Sequence, residues 1–306
     1  MMVPDLVMDI PHQDTIYALA TAGQTLYAGR TSGLYRSNDE GITWDNAFAS
    51  LQDGSSPTVT AIAAYENSVF AGVNGAVICS HDAGKSWTIV GLASPPPNVV
   101  TLAVSPNYDN DGLVVAGTSD DGVFVSTDRG TSWVAWNFGL IDVHVFNLMF
   151  SPAYSADRTL FAGTESGIFV SKNGGRGWSE VNFPMEVAPV ISLAFSPTYA
   201  DNGLIYAGTE SNGLFVTDDR GKNWRPVKSD LISGGVNAIL IREKPVQDIW
   251  LLLEDKVVYL DDKGQSWQPS HIHISPDKMP MTISLHPTLP AMLMLGLADG
   301  EILPAY

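Results

Sequence analysis

The chain has 306 residues and carries 33 acidic against 16 basic side chains, a net charge of −17, so it repels a phosphate backbone and nucleic acid is excluded as a partner. Its single cysteine, Cys79, excludes an intrachain disulfide and a cysteine-rich metal site. No apolar run approaches the roughly 18 residues of a membrane-spanning helix, and MMVPDLVMDIPHQD has no Lys or Arg ahead of its apolar residues, so a cytoplasmic location is expected unless a leader was removed.

In chain order, the segment from Val3 to Ile10 reads as a lone strand, and a single unit then repeats to the C-terminus. Each unit opens on a run suited to an inner strand, starting at Ile16, Val59, Val99, Val145, Val190, Val236 and Met281. A second strand ends in Tyr27-Ala28-Gly29, Phe70-Ala71-Gly72, Val115-Ala116-Gly117, Phe161-Ala162-Gly163 or Tyr206-Ala207-Gly208, where small residues let neighbouring elements approach closely. A glycine-containing hairpin leads to a third apolar strand. A turn of the form S/T-x-D-x-G-x-S/T-W then starts a fourth.

The tryptophans that close these turns are Trp44, Trp87, Trp133, Trp178, Trp224 and Trp267, spaced 43 to 46 residues apart. A period in the forties filled with short strands predicts an all-β, seven-bladed β-propeller of four-stranded antiparallel blades. The blades are expected at about 15–50, 58–95, 98–140, 144–186, 189–231, 235–272 and 280–306 of a single domain, 1–306. Seven inner strands against six turns leave the last blade one strand short. Val3 to Ile10 is expected to complete that C-terminal blade and close the ring, removing an exposed sheet edge.

The turn residues have a local rationale. Asp39, Asp82, Asp128, Asn173, Asp219 and Asp262 can accept backbone N–H bonds across a tight turn, glycine tolerates positive φ, and each tryptophan buries apolar surface beside it. SNDEGITW, SHDAGKSW, STDRGTSW, SKNGGRGW, TDDRGKNW and LDDKGQSW resemble the Asp-box, or BNR, repeat. Three copies drift: the fourth has Asn173 and Gly177, the fifth Asn223, and the sixth Leu260. The resemblance implies that these turns are structural and lie opposite the catalytic face of the enzymes that share them.

Those enzymes set the alternatives. Sialidases gather three arginines around a substrate carboxylate. Propeller connectivity assigns to one face, the top, the loops before each first strand and between the second and third, and only Arg30 and Arg225 fall there. The chain is also similar to one half of the two-propeller xyloglucanases, which use a pair of carboxylates between their halves. Its top-face acids, Asp120, Asp121, Asp142, Glu165, Glu210, Glu254, Asp255 and Asp299, sit mostly in hairpin tips and form no evident matched pair. No catalytic residue is assigned on these grounds.

No cofactor is expected either. His271 and His273 alternate as two metal ligands on one side of a strand would, with His144 a conjectural third, but an ordinary polar loop accounts for them. Asp109, Asp111, Asp157 and Asp201 are the oxygen ligands a structural Ca2+ would use, and turn formation accounts for these too.

What remains is a binding platform. The top loops are the more acidic face and carry apolar residues without a role in the turns: Phe48, Leu51, Leu92, Trp136, Phe138, Phe183 and Met185. Asp120, Asp121, Trp136, Phe138, Glu165, Phe183 and Glu210 are therefore the candidate partner-binding residues, favouring a protein with a basic surface, although the aromatic groups serve equally as plugs that seal the blade tops. Carbohydrate is the alternative ligand. The repeats also resemble those of the photosystem II stability/assembly factor family, which implies a scaffold that holds other proteins; a sortilin-type receptor would need more blades and a membrane anchor.

Overall fold

The computed structural model describes residues 14–51, 56–184, 186, 189–242, 248–261, 266–289 and 292–305. They form a seven-bladed propeller. The inner strands Ile16–Ala22, Ala61–Tyr65, Val99–Val104, Val145–Phe150, Val190–Phe195, Val236–Arg242 and Pro280–Leu285 stand in a ring, each packed on the next and the last returning to the first. Within each blade the strands pair antiparallel in chain order. The first six blades have four strands, whereas the seventh shows three among the described residues: Pro280–Leu285, Leu293–Leu297 and Ile302–Ala305. The closing strand expected at Val3 to Ile10 lies outside the described residues, as does Asp262 of the sixth turn.

One contact repeats around the ring. A Cβ added to Gly29 would stand 2.8 Å from the Val59 side chain, on Gly72 2.5 Å from Val99, and on Gly117 2.7 Å from Val145. On Gly163 and Gly208 it would stand 2.6 Å from the carbonyls of Val190 and Val236. Each glycine thus admits the first residue of the next blade, and those valines are fully buried. Gly296 of the seventh blade meets Ile16 of the first at 2.5 Å, so the same contact closes the circle. Blade 6 is the exception: Leu252 takes the glycine's place and packs with Trp250, Ile283 and Leu295 at the seam to blade 7.

The turns work as staples. Asp39 accepts from the Ser37 hydroxyl (2.7 Å) and the Thr43 backbone N–H (2.9 Å) through Oδ1, and from the Thr43 hydroxyl (2.5 Å) through Oδ2. Trp44 donates from its ring to the Gly41 carbonyl at 3.0 Å. Asp82, Asp128 and Asp219 repeat the pattern, and Asn173 keeps half of it, accepting from the Ser171 hydroxyl and the Gly177 N–H at 2.9 Å each. Donation from Thr43 and Ser37 holds the Asp39 carboxyl at about 2, and equivalent bonds draw Asp82 and Asp219 down; at Asp128 they outweigh an opposing push from burial.

On the same face, short helices Tyr108–Asp111, Tyr154–Asp157 and Tyr199–Asn202 fill the turns between first and second strands of blades 3, 4 and 5. Their acids are used locally: Asp111 accepts from Ser105 and Leu113, Asp157 from Ser151 and Thr159, and Asp109 from Tyr65. Turn hydrogen bonding accounts for the positions of these three acids. In blade 6, Arg242 and Asp248 form a buried ion pair across the corresponding turn, with Nε donating to Oδ1 at 3.0 Å.

Two outcomes follow from this packing. Gly163→Ala presses a methyl onto the Val190 carbonyl, which cannot rotate away, and is expected to destabilise the protein by about 2 kcal/mol in urea melts. The Asp39 carboxyl, lowered from 3.8 to about 2 in the folded chain, stabilises fully above about pH 4 and loses that contribution as pH falls toward 2. The melting temperature of the native chain should drop across that window by more than that of Asp39→Asn, whose amide oxygen still accepts from Thr43 but does not titrate.

Candidate binding face

Hairpin tips of one design build the top of blades 3, 4 and 5. In each, the threonine that ends the second strand donates its hydroxyl to the carbonyl of a glycine beyond the tip: Thr118 to Gly122 (2.9 Å), Thr164 to Gly167 (3.2 Å) and Thr209 to Gly213 (2.9 Å). The residues between are held outward. Asp120, Asp121, Glu165 and Glu210 are exposed there, as expected.

Sequence reasoning did not foresee that four of these loop groups meet. His144 immediately precedes the inner strand Val145–Phe150, where the top face turns into the inner wall of the ring. Its Nδ1 lies 3.1 Å from Asp142 Oδ1 and 3.2 Å from Glu165 Oε2, and its Nε2 lies 3.9 Å from Asp120 Oδ1. The loop backbone sets this geometry. Asp142 Oδ1 accepts the His144 N–H at 3.1 Å, its Oδ2 accepts the Ser166 N–H at 2.6 Å, and the Glu165 N–H donates to the His144 carbonyl at 3.2 Å. Burial tends to raise the Asp142 carboxyl, but these donors prevail and hold it at about 2. The only hint in the sequence is the spacing Asp142-x-His144.

Among the described residues, Asp142, His144 and Glu165 are the one group whose ligand atoms lie close enough, within 4.8 Å of one another, to share a metal ion. Hydrogen bonding among them and to the loop backbone already accounts for their positions. The pair His271 and His273 joins no such group: both are exposed in a loop, while Ile272 and Ile274 between and beyond them pack into the seam of blades 6 and 7.

The loop aromatics divide between the readings of plug and exposed rim. Phe183 is only 5% exposed and stacks edge-on against Phe215 and Trp224, sealing blade 4 onto blade 5. Phe48 and Leu51 likewise plug the gap between blades 1 and 2. Trp136 lies between blades 3 and 4 beneath the Arg176 guanidinium of the fourth turn, so its indole crosses away from the top loops. Phe138 is 84% exposed, but it borders Asn173, Gly177 and Trp178 on the outer flank, and Met185 lies outside the described residues. Arg225 also leaves the top, pairing with Asp218 of the fifth turn at 3.3 Å, and Arg30 pairs with Asp14 at 3.4 Å. The acids stay on the top face and the large apolar groups go into the seams because water solvates carboxylates while the gaps between blades reward burial of apolar surface.

Six Asp-box turns on a closed ring of seven blades decide the fold. The chain folds as a seven-bladed β-propeller with Asp-box turns. The Sortilin-Vps10 family model (sortilin, neurotensin receptor 3) matches residues 121–235, within blades 3 to 5. Among solved structures, YCF48 bound to a D1 peptide is similar with a TM-score of 0.71 and 18% identity over 96% of this chain and 92% of that one. YCF48 from Cyanidioschyzon merolae gives 0.72 and 14%, over 97% of each chain. The GH74 xyloglucanase from Xanthomonas campestris gives 0.73 and 16%, over 96% of this chain but 52% of that one. At such identities the likeness is one of fold. No curated protein sequence matches the chain. No helix among the described residues of the propeller is long and apolar enough to cross a membrane.

Asp142→Ala removes the acceptor for two backbone N–H groups and for His144, and is expected to cost about 1–3 kcal/mol in chemical denaturation. Glu165→Gln, at an exposed tip, should leave stability within about 0.5 kcal/mol of the native value.

Proposed function

We propose that this propeller is a non-catalytic platform that binds a protein partner with a basic surface through the acidic top of blades 3 to 5. The observation that carries this reading is the convergence of Asp120, Asp142 and Glu165 on one imidazole, with no Lys or Arg among the described residues in ion-pair contact with them. Three carboxylates around one histidine leave surplus negative charge fixed on a rigid surface. Such a surface steers cationic partners toward it and rejects anionic ones.

Against the opposing push of burial, Asp142 is drawn down to about 2 by the loop donors and so adds a fixed negative charge to this surface. The extent of the structural likeness supports the platform reading, since this chain covers nearly the full length of the YCF48 structures, one of them with a D1 peptide bound, and about half of the xyloglucanase. A carbohydrate-binding or glycoside-hydrolase role is the second reading, favoured by that same xyloglucanase likeness and by the acid-bearing tips.

Affinity capture from the native cytosol, compared between the native chain and a combined Asp120→Asn, Asp121→Asn and Glu165→Gln variant, separates the two readings when run beside a sugar-release assay on xyloglucan. A basic protein retained by the native chain, released by raised salt and lost with the variant, is the expected outcome. Sugar release by the native chain that disappears in the variant would establish the hydrolase reading instead.

A further inference from the structure

The face opposite those acids holds a cavity where the fourth Asp-box departs from the repeat. In blades 3 and 5 the fourth position of the box is an arginine: Arg129 lies 5.4 Å over the Tyr108 ring and donates to the Asp109 carbonyl at 2.9 Å, and Arg220 lies 5.4 Å over Tyr199 and donates to Ala200 at 2.6 Å. Each arginine covers the tyrosine of its own blade. Blade 4 exchanges two positions: Gly174 stands where those arginines are, and Arg158 stands at the helix end where blades 3 and 5 have Gly112 and Gly203, so the arginine over Tyr154 comes from the helix end rather than from the box. Tyr154 Oη stands 2.9 Å from where a Gly174 Cβ would be, at the edge of a cavity of about 450 Å³ between blades 3 and 4. That volume is in the range of small-ligand sites.

The lining is basic in a chain of net charge −17. Arg158 lies 5.5 Å over Tyr154, and Arg176 lies 5.5 Å over Trp136. Tyr154, Arg158 and Arg176 line the same cavity, so two cations and a phenol face one space. The carboxylate in the lining, Asp111, is 4.0 Å from Arg158 and already accepts from the Ser105 hydroxyl at 2.8 Å and the Leu113 N–H at 3.0 Å. Arg176 has no ion pair among the described residues. Stacking on indole fixes the guanidinium plane and leaves its edge free to donate as a fork.

We propose that this cavity binds a carboxylate ligand, with the guanidiniums of Arg176 and Arg158 and the Tyr154 hydroxyl as donors. Two arginines against one aspartate leave a single positive charge, which suits a monoanionic, planar carboxylate better than a dianionic phosphate. The carboxylate can come from a free organic acid or from an acidic side chain of a peptide. The site is on the opposite face from the acidic platform and stands independently of it.

Isothermal titration of the full chain with benzoate and with the blocked peptide acetyl-Gly-Glu-Gly-amide distinguishes the two sources, and benzamide serves as the uncharged control. Benzoate, the peptide or both should bind in the millimolar range or tighter while benzamide does not, and Arg176→Ala should weaken binding about tenfold or more. Gly174→Arg should abolish binding by crowding the Tyr154 hydroxyl, which stands 2.9 Å from the added Cβ; its backbone, at φ +77°, resembles that of Arg129 (+63°) and Arg220 (+64°). A thermal melt confirms that each variant is folded, and if Gly174→Arg is not, Arg176→Ala alone decides. Failure of both carboxylates to bind below about 10 mM, or equal binding by Arg176→Ala, overturns the proposal.

Discussion

Everything else in this molecule depends on the approach of one glycine to one valine. At Gly29, Gly72, Gly117, Gly163 and Gly208 the second strand of a blade gives up its side chain so that a valine at the start of the next blade can sit against it. A side chain there would push the blades apart by the width of a methyl at every seam. Because the contact recurs at a near-constant period and returns from Gly296 to Ile16, seven blades of similar width close into a ring without a free edge there. Leu252 at the seam of blades 6 and 7 is the one break in this pattern, compensated by a larger apolar cluster around Trp250.

Closure fixes two faces, and the same residue type then does opposite work on each. Asp39, on the turn side, is surrounded by donors from its own loop, which consume its lone pairs and hold the strands together. Asp120 and Glu165, at hairpin tips whose threonine hydroxyls donate to glycine carbonyls, receive fewer donors from their own loops: Asp120 accepts from the Ser119 hydroxyl at 2.7 Å, and both carboxylates lie beside His144. What separates a staple from a binding group is how many N–H and O–H donors the local backbone offers. On the top of blades 3 to 5 the carboxylates stay open to solvent and to a partner, while on the turn face they are held by their own loops, beside a basic cavity where Gly174 interrupts the repeat.

The framework was legible in the sequence because it is local. The spacing of Trp44 through Trp267 counts the turns, and the Ala-Gly pairs mark the close approach. The site was legible only in part. Asp120, Asp121, Glu165 and Glu210 are exposed at the tips where turn chemistry puts them, but Trp136 and Phe183, assigned to the same rim by loop position, left it. A large ring is long enough to reach over the end of a two-residue outer strand, so its Cα position does not say which side of the blade it will fill.

The sequence alone therefore determined the architecture: a period, a turn chemistry and a small-residue contact that each act within a few residues of where they are written. The tertiary structure alone decided which groups from separate loops meet, placing His144 among Asp120, Asp142 and Glu165 and lining one cavity with Tyr154, Arg158 and Arg176. The physical reason is that hydrogen bonding in a turn is settled by immediate neighbours, whereas electrostatic convergence across a blade seam exists only after burial of the valine contacts has brought the loops together.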